Sequence, residues 1–207
     1  NEEMARTFSL QQLWALNTGS CACAPTNTGD GIRMAMDIGA DLAGMGGTIG
    51  YPQPGIGQDS APGIWVNRYG QRFVNEAGHY AFKARAVFNQ EQSFAWAVFD
   101  DRVREESATT LGWSEDLSEE ISAGTVTTAD TLASLAQALG VNGAQLESTV
   151  EKWNADAANG EDTLYDKTVG LQAIDQGPYY ASRVASRNLV ADGVERPKPD
   201  TQVLDVE

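Results

Sequence analysis

The sequence predicts an α+β fold, and three observations carry that prediction. Short β-prone runs, "GIWVN", "RFVNE" and "SFAWAVFDD", are separated along the chain from the best helical stretches, which follow one another between Thr128 and Ala158. Strands and helices segregated in this way argue against a complete doubly wound sheet. An apolar fraction of 42% over 207 residues is enough for a packed core of ordinary globular kind.

Taken in order, Asn1 to Leu16 reads as a helix with acidic residues in its first turn, which complement the helix dipole. A loop, "NTGSCACAPTNTGDG", leads into "GIRMAMDIGADLAGMGG", where Ile32, Met34, Ala35, Ile38 and Leu42 have helical spacing and Thr28 or Asp30 is a natural cap. Glycines at 44, 46, 47, 50, 55 and 57 mark a linker or a closely packed loop. "GIWVN" and "RFVNE" then form a hairpin across "RYGQ", with Gly70 as the turn residue of positive φ. "YAFKARAVFNQ" is a short helix, and "SFAWAVFDD", an apolar run with polar ends, is a buried strand. "TADTLASLAQALG" starts on a Thr or Asp cap and stops at Gly140; the helix after it puts Leu146, Val150 and Trp153 on one face. The tail from Gly177 is strand-like and broken by prolines.

Composition excludes several function classes. A net charge of −15, with only 14 scattered Lys and Arg, argues against nucleic acid and against an anionic membrane surface. Cys21 and Cys23 form a C-x-C too tight for an ordinary structural bridge and lack further zinc ligands, so they read as small half-buried thiols and no metal is expected. No window approaches the ~20 apolar residues of a membrane span. The start carries no export signal, and a chain beginning without Met reads as an excerpt of a soluble protein, cytoplasmic or exported by a signal outside it.

The motifs are individually modest. "TNTGDGIRMA" sets a glycine-flanked Asp at a helix start, which suits either an N-cap or close approach of an anionic ligand; no G-x-G-x-x-G or P-loop accompanies it. His79 is the sole histidine, which removes a histidine triad, and by itself it reads as solvent-facing. The pairs Asp100–Asp101 and Glu119–Glu120 read as solvated carboxylates. Tyr80 ends the polar cluster "NEAGHY", and a phenol's ordinary pKa near ~10 suits donation of a proton to a carbanion-like centre.

The order of the pieces is more specific than any one of them. "NTGDGIRMAMDIGADLAGM", "GIWVNRYGQRFVNEAGHY", "FAWAVFD", "TADTLASLAQALGVNGAQLESTVEKWNADAANGED", "PYYA" and "TQVLD" together resemble the central part of the FAD-dependent fumarate reductase and 3-ketosteroid 1-dehydrogenase flavoprotein superfamily, across essentially the whole chain. The resemblance implies strips of a Rossmann-like FAD-binding domain at 1–47 and 186–207, around a substrate-capping domain at 48–185 with a small, mostly antiparallel sheet and packed helices. It implies Thr28, Gly29, Asp30 and Gly31 close to FAD, and substrate contacts at Asn75 and Glu76. It further implies Tyr80, Tyr51 and His79 as candidates for proton transfer beside a CH–CH bond next to a carbonyl or carboxyl group.

Two departures matter. Fumarate reductases have a histidine in the strand after the T-G-D-G helix and a proton-donating arginine shortly after the N-E of the hairpin; here Tyr51 and Tyr80 stand there, and tyrosine cannot grip a carboxylate in bidentate fashion. The ketosteroid dehydrogenases share a tyrosine at the end of N-E-A-x-x-Y, with His79 standing where proline is common. Relatives also have a glycine pair before "QVLD", and "RNLVADGVERPKPD" has none. The expected partners are a small-molecule substrate, the flavin-domain remainder of the same protein and an electron-transfer partner. An isolated segment of this kind is expected neither to retain FAD nor to turn over substrate. The alternative is a non-catalytic ligand-binding or interaction domain derived from the cap, separable by whether the full-length protein shows flavin absorption.

Overall fold

The computed structural model describes residues 7, 26, 28–45, 48–53, 63–107, 113–191 and 194–195, with no side chain described at 48, 49, 51, 53, 187–191 or 194–195. The expected opening helix, apart from Thr7, which is helical, lies outside these residues, as do Cys21, Cys23 and the "QVLD" segment. The chain divides into two compact units, one of Asn1–Tyr51 with Ser186–Glu207 and one of Pro52–Ala185.

In the first unit, α1 (Asp30–Asp37) starts from Gly29, and β1 (Leu42–Ala43) pairs antiparallel with β7 (Val194–Glu195). The cap position of α1 is Gly29, rather than Thr28 or Asp30. The glycine-spaced stretch expected as linker is partly strand, β2 (Thr48–Gln53), where Thr48, Ile49 and Tyr51 are β-prone and the strand pairs with β6 (Tyr179–Ala191).

The second unit is built on an antiparallel sheet. β3 (Ile64–Val66) pairs with β4 (Phe94–Asp100), β4 with β6, and β5 (Val126–Ala129) with β6. Alternation sorts the side chains onto two faces. Ile64, Val66, Val98 and Ala181 pack with Leu135, Ala136, Leu146, Val150 and Trp153 of α5 (Leu132–Leu139) and α6 (Gly143–Asn159). Trp65, Ala97 and Val184 pack on Val87 of α2 (Tyr80–Phe88). Phe99 and Tyr180 stack with ring centres 5.4 Å apart and pack with Val103 and Leu117. Helices on both faces of a small antiparallel sheet give the expected α+β class.

Local signals explain most elements. Thr131 and Asn142 cap α5 and α6 by accepting the Ser134 and Gln145 N–H groups, and α5 ends at Gly140. Two short helices, α3 (Asp101–Ser107) and α4 (Ser118–Ser122), were not expected. Asp100 corrects the reading of its pair as solvated. It is fully buried; one carboxylate oxygen caps α3 through the Val103 N–H, and the other accepts the N–H groups of Asp175 and Gln176.

The hairpin differs from expectation on its return side. Its turn forms as read, with Gly70 at φ 81° and its N–H on the Asn67 carbonyl. Yet "RFVNE" contributes a single bridge, Val66 to Arg72, instead of a strand. The physical reason is a side chain: Glu76 Oε1 accepts the Trp65 N–H at 2.9 Å, doing what a neighbouring strand's carbonyl would do.

Candidate functional site

In the second unit the expected site residues converge on the turn from Asn75 to Tyr80, and a buried charge cluster holds that turn. Arg72 is the centre of the cluster. Its Nε and Nη2 donate to the two oxygens of Glu76 at 3.0 and 2.9 Å, and Nη1 and Nη2 donate to the two oxygens of Asp162 at 2.9 Å each. The guanidinium lies 4.7 Å from the ring centre of Trp153 and 5.2 Å from that of Tyr165, and the Tyr165 hydroxyl donates to the Arg72 carbonyl. Such planar bidentate pairing, stacked on aromatic faces, is what an arginine can do and a lysine cannot.

Lys167 completes the cluster. Its ammonium donates to the Gly63 carbonyl at 2.8 Å and stands 3.7 Å from Glu76 Oε2, while its backbone N–H donates to Asp162. Burial pushes the Lys167 amine below its ordinary value, and nearby Arg72 adds to this against the pull of Glu76. For Asp162 burial works upward, but the hydrogen bonds and charge of Arg72 outweigh it and hold the carboxyl below the usual range. Burial likewise opposes the charge of Arg72, and its bonds to Asp162 and Glu76 more than reverse that, raising its pKa.

Each expected residue can now be placed. Glu76, read as a substrate contact, has no exposed surface, and both carboxylate oxygens are engaged by Arg72 and the Trp65 N–H, so it holds the turn. Asn75 is half-buried; its Oδ1 accepts the Ala77 N–H at 2.9 Å and its Nδ2 donates to the Asp166 carbonyl at 3.1 Å. His79 is exposed and caps α2, its Nδ1 accepting the Ala81 N–H at 3.3 Å. Its ring lies 4.4 Å from that of Tyr80 and 6.0 Å from that of Phe82, which is 78% exposed. Tyr80, half-buried, is the first residue of α2. Tyr51 lies in β2, and its side chain is outside the described set.

The glycine-flanked start of α1 belongs to the other unit. Gly29 takes a left-handed backbone at φ 82°, and a Cβ at Gly31 would meet nothing within 4 Å. A ligand can therefore approach these backbone amides closely, which fits the polar edge of a flavin nucleotide. Among the described residues, no group of three or more His, Cys, Asp or Glu could hold a metal ion, and no helix is long and apolar enough to cross a membrane.

Arg72, Asp162, Lys167 and Lys83 carry no local signal in the sequence. Arg72 and Asp162 are 90 positions apart, so no local pattern links them. A cleft of about 420 Å³ lies beside the cluster, bounded by Gln71, Gln145, Thr149, Lys152 and Tyr165 among others. Its polar walls bond mainly to each other and to nearby backbone: Thr149 donates to the Gly70 carbonyl, and Lys152 to Asp156 and Thr163.

The family model of the FAD binding domain matches residues 6–193. The chain is 31% identical to a probable fumarate reductase of Shewanella frigidimarina, over 77% of this chain and 27% of that protein. It is equally 31% identical to a 4-oxocyclohexanecarboxylate 2-dehydrogenase of Sinomonas cyclohexanicum, over 88% of this chain and 38% of that one. Among solved structures, the 3-ketosteroid Δ1-dehydrogenase of Sterolibacterium denitrificans in complex with 1,4-androstadiene-3,17-dione superposes with a TM-score of 0.78 at 29% identity, covering 99% of this chain and 42% of that one. The chain thus spans between about a quarter and two fifths of the length of these relatives. FAD is the cofactor of the full-length protein. With the model matching nearly the whole chain and both kinds of relative aligned to it, the chain belongs to the FAD binding domain family, within the flavoprotein superfamily of fumarate reductases and 3-ketosteroid dehydrogenases.

Proposed function

We propose that residues 48–185 are the substrate-capping domain of a flavin-dependent oxidoreductase acting on a CH–CH bond next to a carbonyl or carboxyl group, and that 1–47 and 186–207 are strips of its FAD-binding domain. The observation that carries this is Tyr80, a half-buried phenol at the head of α2 on a turn clamped by buried charges; the resemblance assigns proton transfer to this position. The division of the chain into two compact units supports the domain reading.

When bound, FAD supplies the hydride chemistry. The task of this chain is to orient the substrate, exclude water and exchange one proton at the Tyr80 hydroxyl. Thr28 to Gly31 would present backbone amides to the flavin, and by the resemblance Tyr51 and Tyr80 align where fumarate reductases have histidine and arginine, respectively. His79, whose ring contacts those of Tyr80 and Phe82, is a further candidate for proton transfer on this turn.

The turn favours a neutral ring ketone over a dicarboxylate. No arginine or free ammonium lies between Asn75 and Tyr80, Arg72 is committed to two carboxylates, and Arg68 at the hairpin tip pairs with Glu91. A dicarboxylate held without such a cation would lose its strongest contacts.

The test uses the full-length flavoprotein with fumarate, 4-oxocyclohexanecarboxylate and a 3-oxosteroid as substrates. Tyr80→Phe should lower turnover of the preferred substrate about 10²–10⁴-fold with flavin content unchanged. Unchanged turnover removes Tyr80 from the mechanism. A second reading, a ligand-binding module without redox chemistry, draws on the cleft of about 420 Å³ beside Tyr165. An absorption spectrum of the full-length protein lacking a flavin band, before and after adding FAD, would establish that reading instead.

A further inference from the structure

Lys83 lies on α2, three residues after Tyr80, and is fully buried. Its ammonium donates to the Glu76 carbonyl at 2.9 Å and stands 5.6 Å from the ring centre of Trp65. Taking an ammonium out of water is expensive, and a methionine would fill a similar space without that cost. What the lysine supplies is a donor that reaches back from the first turn of the helix to the backbone four residues before Tyr80.

The segment from Glu76 to Lys83 is thereby closed into a ring by one hydrogen bond, with Tyr80 inside it. The anchor of the ring is firm, because the Glu76 carboxylate is gripped by Arg72 and by the Trp65 N–H. The rest of the turn is held more lightly: the Gly78 N–H reaches the Asn75 carbonyl at 3.1 Å, and the Ala77 N–H reaches the Asn75 side chain. Without the lysine bond, the first turn of α2 keeps its helix and its His79 cap but loses its tie to the anchored carbonyl.

We propose that Lys83 is a positioning residue that holds the Tyr80 phenol in register with the reacting carbon by tying the head of α2 to the Glu76 carbonyl. This rests on the reading of Tyr80 as the proton-transfer group. A misplacement of about 1 Å at such a group can cost as much as ~10²-fold in rate.

The full-length flavoprotein is tested with whichever of fumarate, 4-oxocyclohexanecarboxylate and a 3-oxosteroid it turns over. Lys83→Met should lower kcat about 10-fold while KM and flavin content stay within about twofold. Val87→Ala, one turn further along the same helix and buried against Trp65, is the control: it should lower Tm without lowering kcat. Amide hydrogen exchange over residues 76–82 should speed up in Lys83→Met and not in Val87→Ala. In a Tyr80→Phe background, Lys83→Met should cause no further loss, because a residue acting through Tyr80 has nothing left to act on. Should Lys83→Met fail to fold, Lys83→Gln, which keeps a polar end but places it one atom short of the Glu76 carbonyl, carries the same comparison. Equal kcat in Lys83→Met and Val87→Ala, or losses that multiply in the double variant, would overturn the proposal. Unchanged turnover in Tyr80→Phe alone would instead remove the reading beneath it.

Discussion

Two of the ties between the hairpin and the rest of its unit are physically unlike. At its base, Arg72 joins Glu76 and Asp162 with side chains 2%, 0% and 0% exposed. At its tip, Arg68 and Tyr69 both bond to Glu91, and the ion pair has 40% and 46% of its side-chain surface in water. The base cluster has its geometry fixed by packing against Trp153 and Tyr165; the tip pair is free to exchange its partners for solvent. Where residues look alike in sequence, burial decides which pair sets structure and which only decorates it.

The largest effect should follow from breaking the base. Arg72→Met leaves two buried carboxylates without their partner, a loss of about 3–5 kcal/mol in unfolding free energy. The fluorescence of Trp65 and Trp153, both fully buried, reports the transition in urea. A midpoint unchanged from the parent would mean that the cluster contributes nothing net.

Acid should sharpen the contrast. Despite burial, Asp162 is held below its ordinary value by Arg72, and Asp156 by Lys152 and Thr163. Both are depressed in the folded state, so their stabilisation is present above the unfolded value near ~3.9 and is lost as pH falls through the folded values. In Arg72→Met the depression of Asp162 lessens, because the guanidinium's hydrogen bonds and charge no longer oppose burial and only the backbone bonds and Lys167 do, so less stabilisation is lost on protonation. The gap in urea midpoint between parent and variant should therefore narrow as pH drops below ~4, and a constant gap would show that Asp162 is not linked to Arg72.

How much of this was legible follows the same divide. The face of Leu146, Val150 and Trp153, the buried run of β4, the stop at Gly140 and the turn at Gly70 were all readable, because each is a local pattern within a single element or turn. The family, too, was readable, since it lies in the order of such patterns. The base cluster was not. Glu76 at a hairpin end reads as a group aimed at a ligand, and nothing nearby announces that its partner Arg72 also binds a residue 90 positions on. Lys83 carries no signal of its own in a short helix, and only the packing of α2 on Trp65 shows its stem and amine enclosed. The missing return strand has the same origin, a side chain substituting for backbone.

The smallest effect is expected at the tip, where it tests whether exposure alone separates the two ties. The hydrogen bond to Glu91, followed by that carboxylate's charge, raises the Tyr69 phenol above its ordinary value. Glu91→Gln removes the charge and the ion pair with Arg68 together. The urea midpoint should move little, and whatever change appears should vanish in about 1 M salt, where screening acts within about 3 Å. An ultraviolet titration should meanwhile show one of the six tyrosines ionising at lower pH than in the parent. A loss of stability at the tip comparable to that of Arg72→Met would mean that the pair is held as rigidly as the buried one despite its exposure. The difference between the two ends of the hairpin would then have to come from something other than solvent.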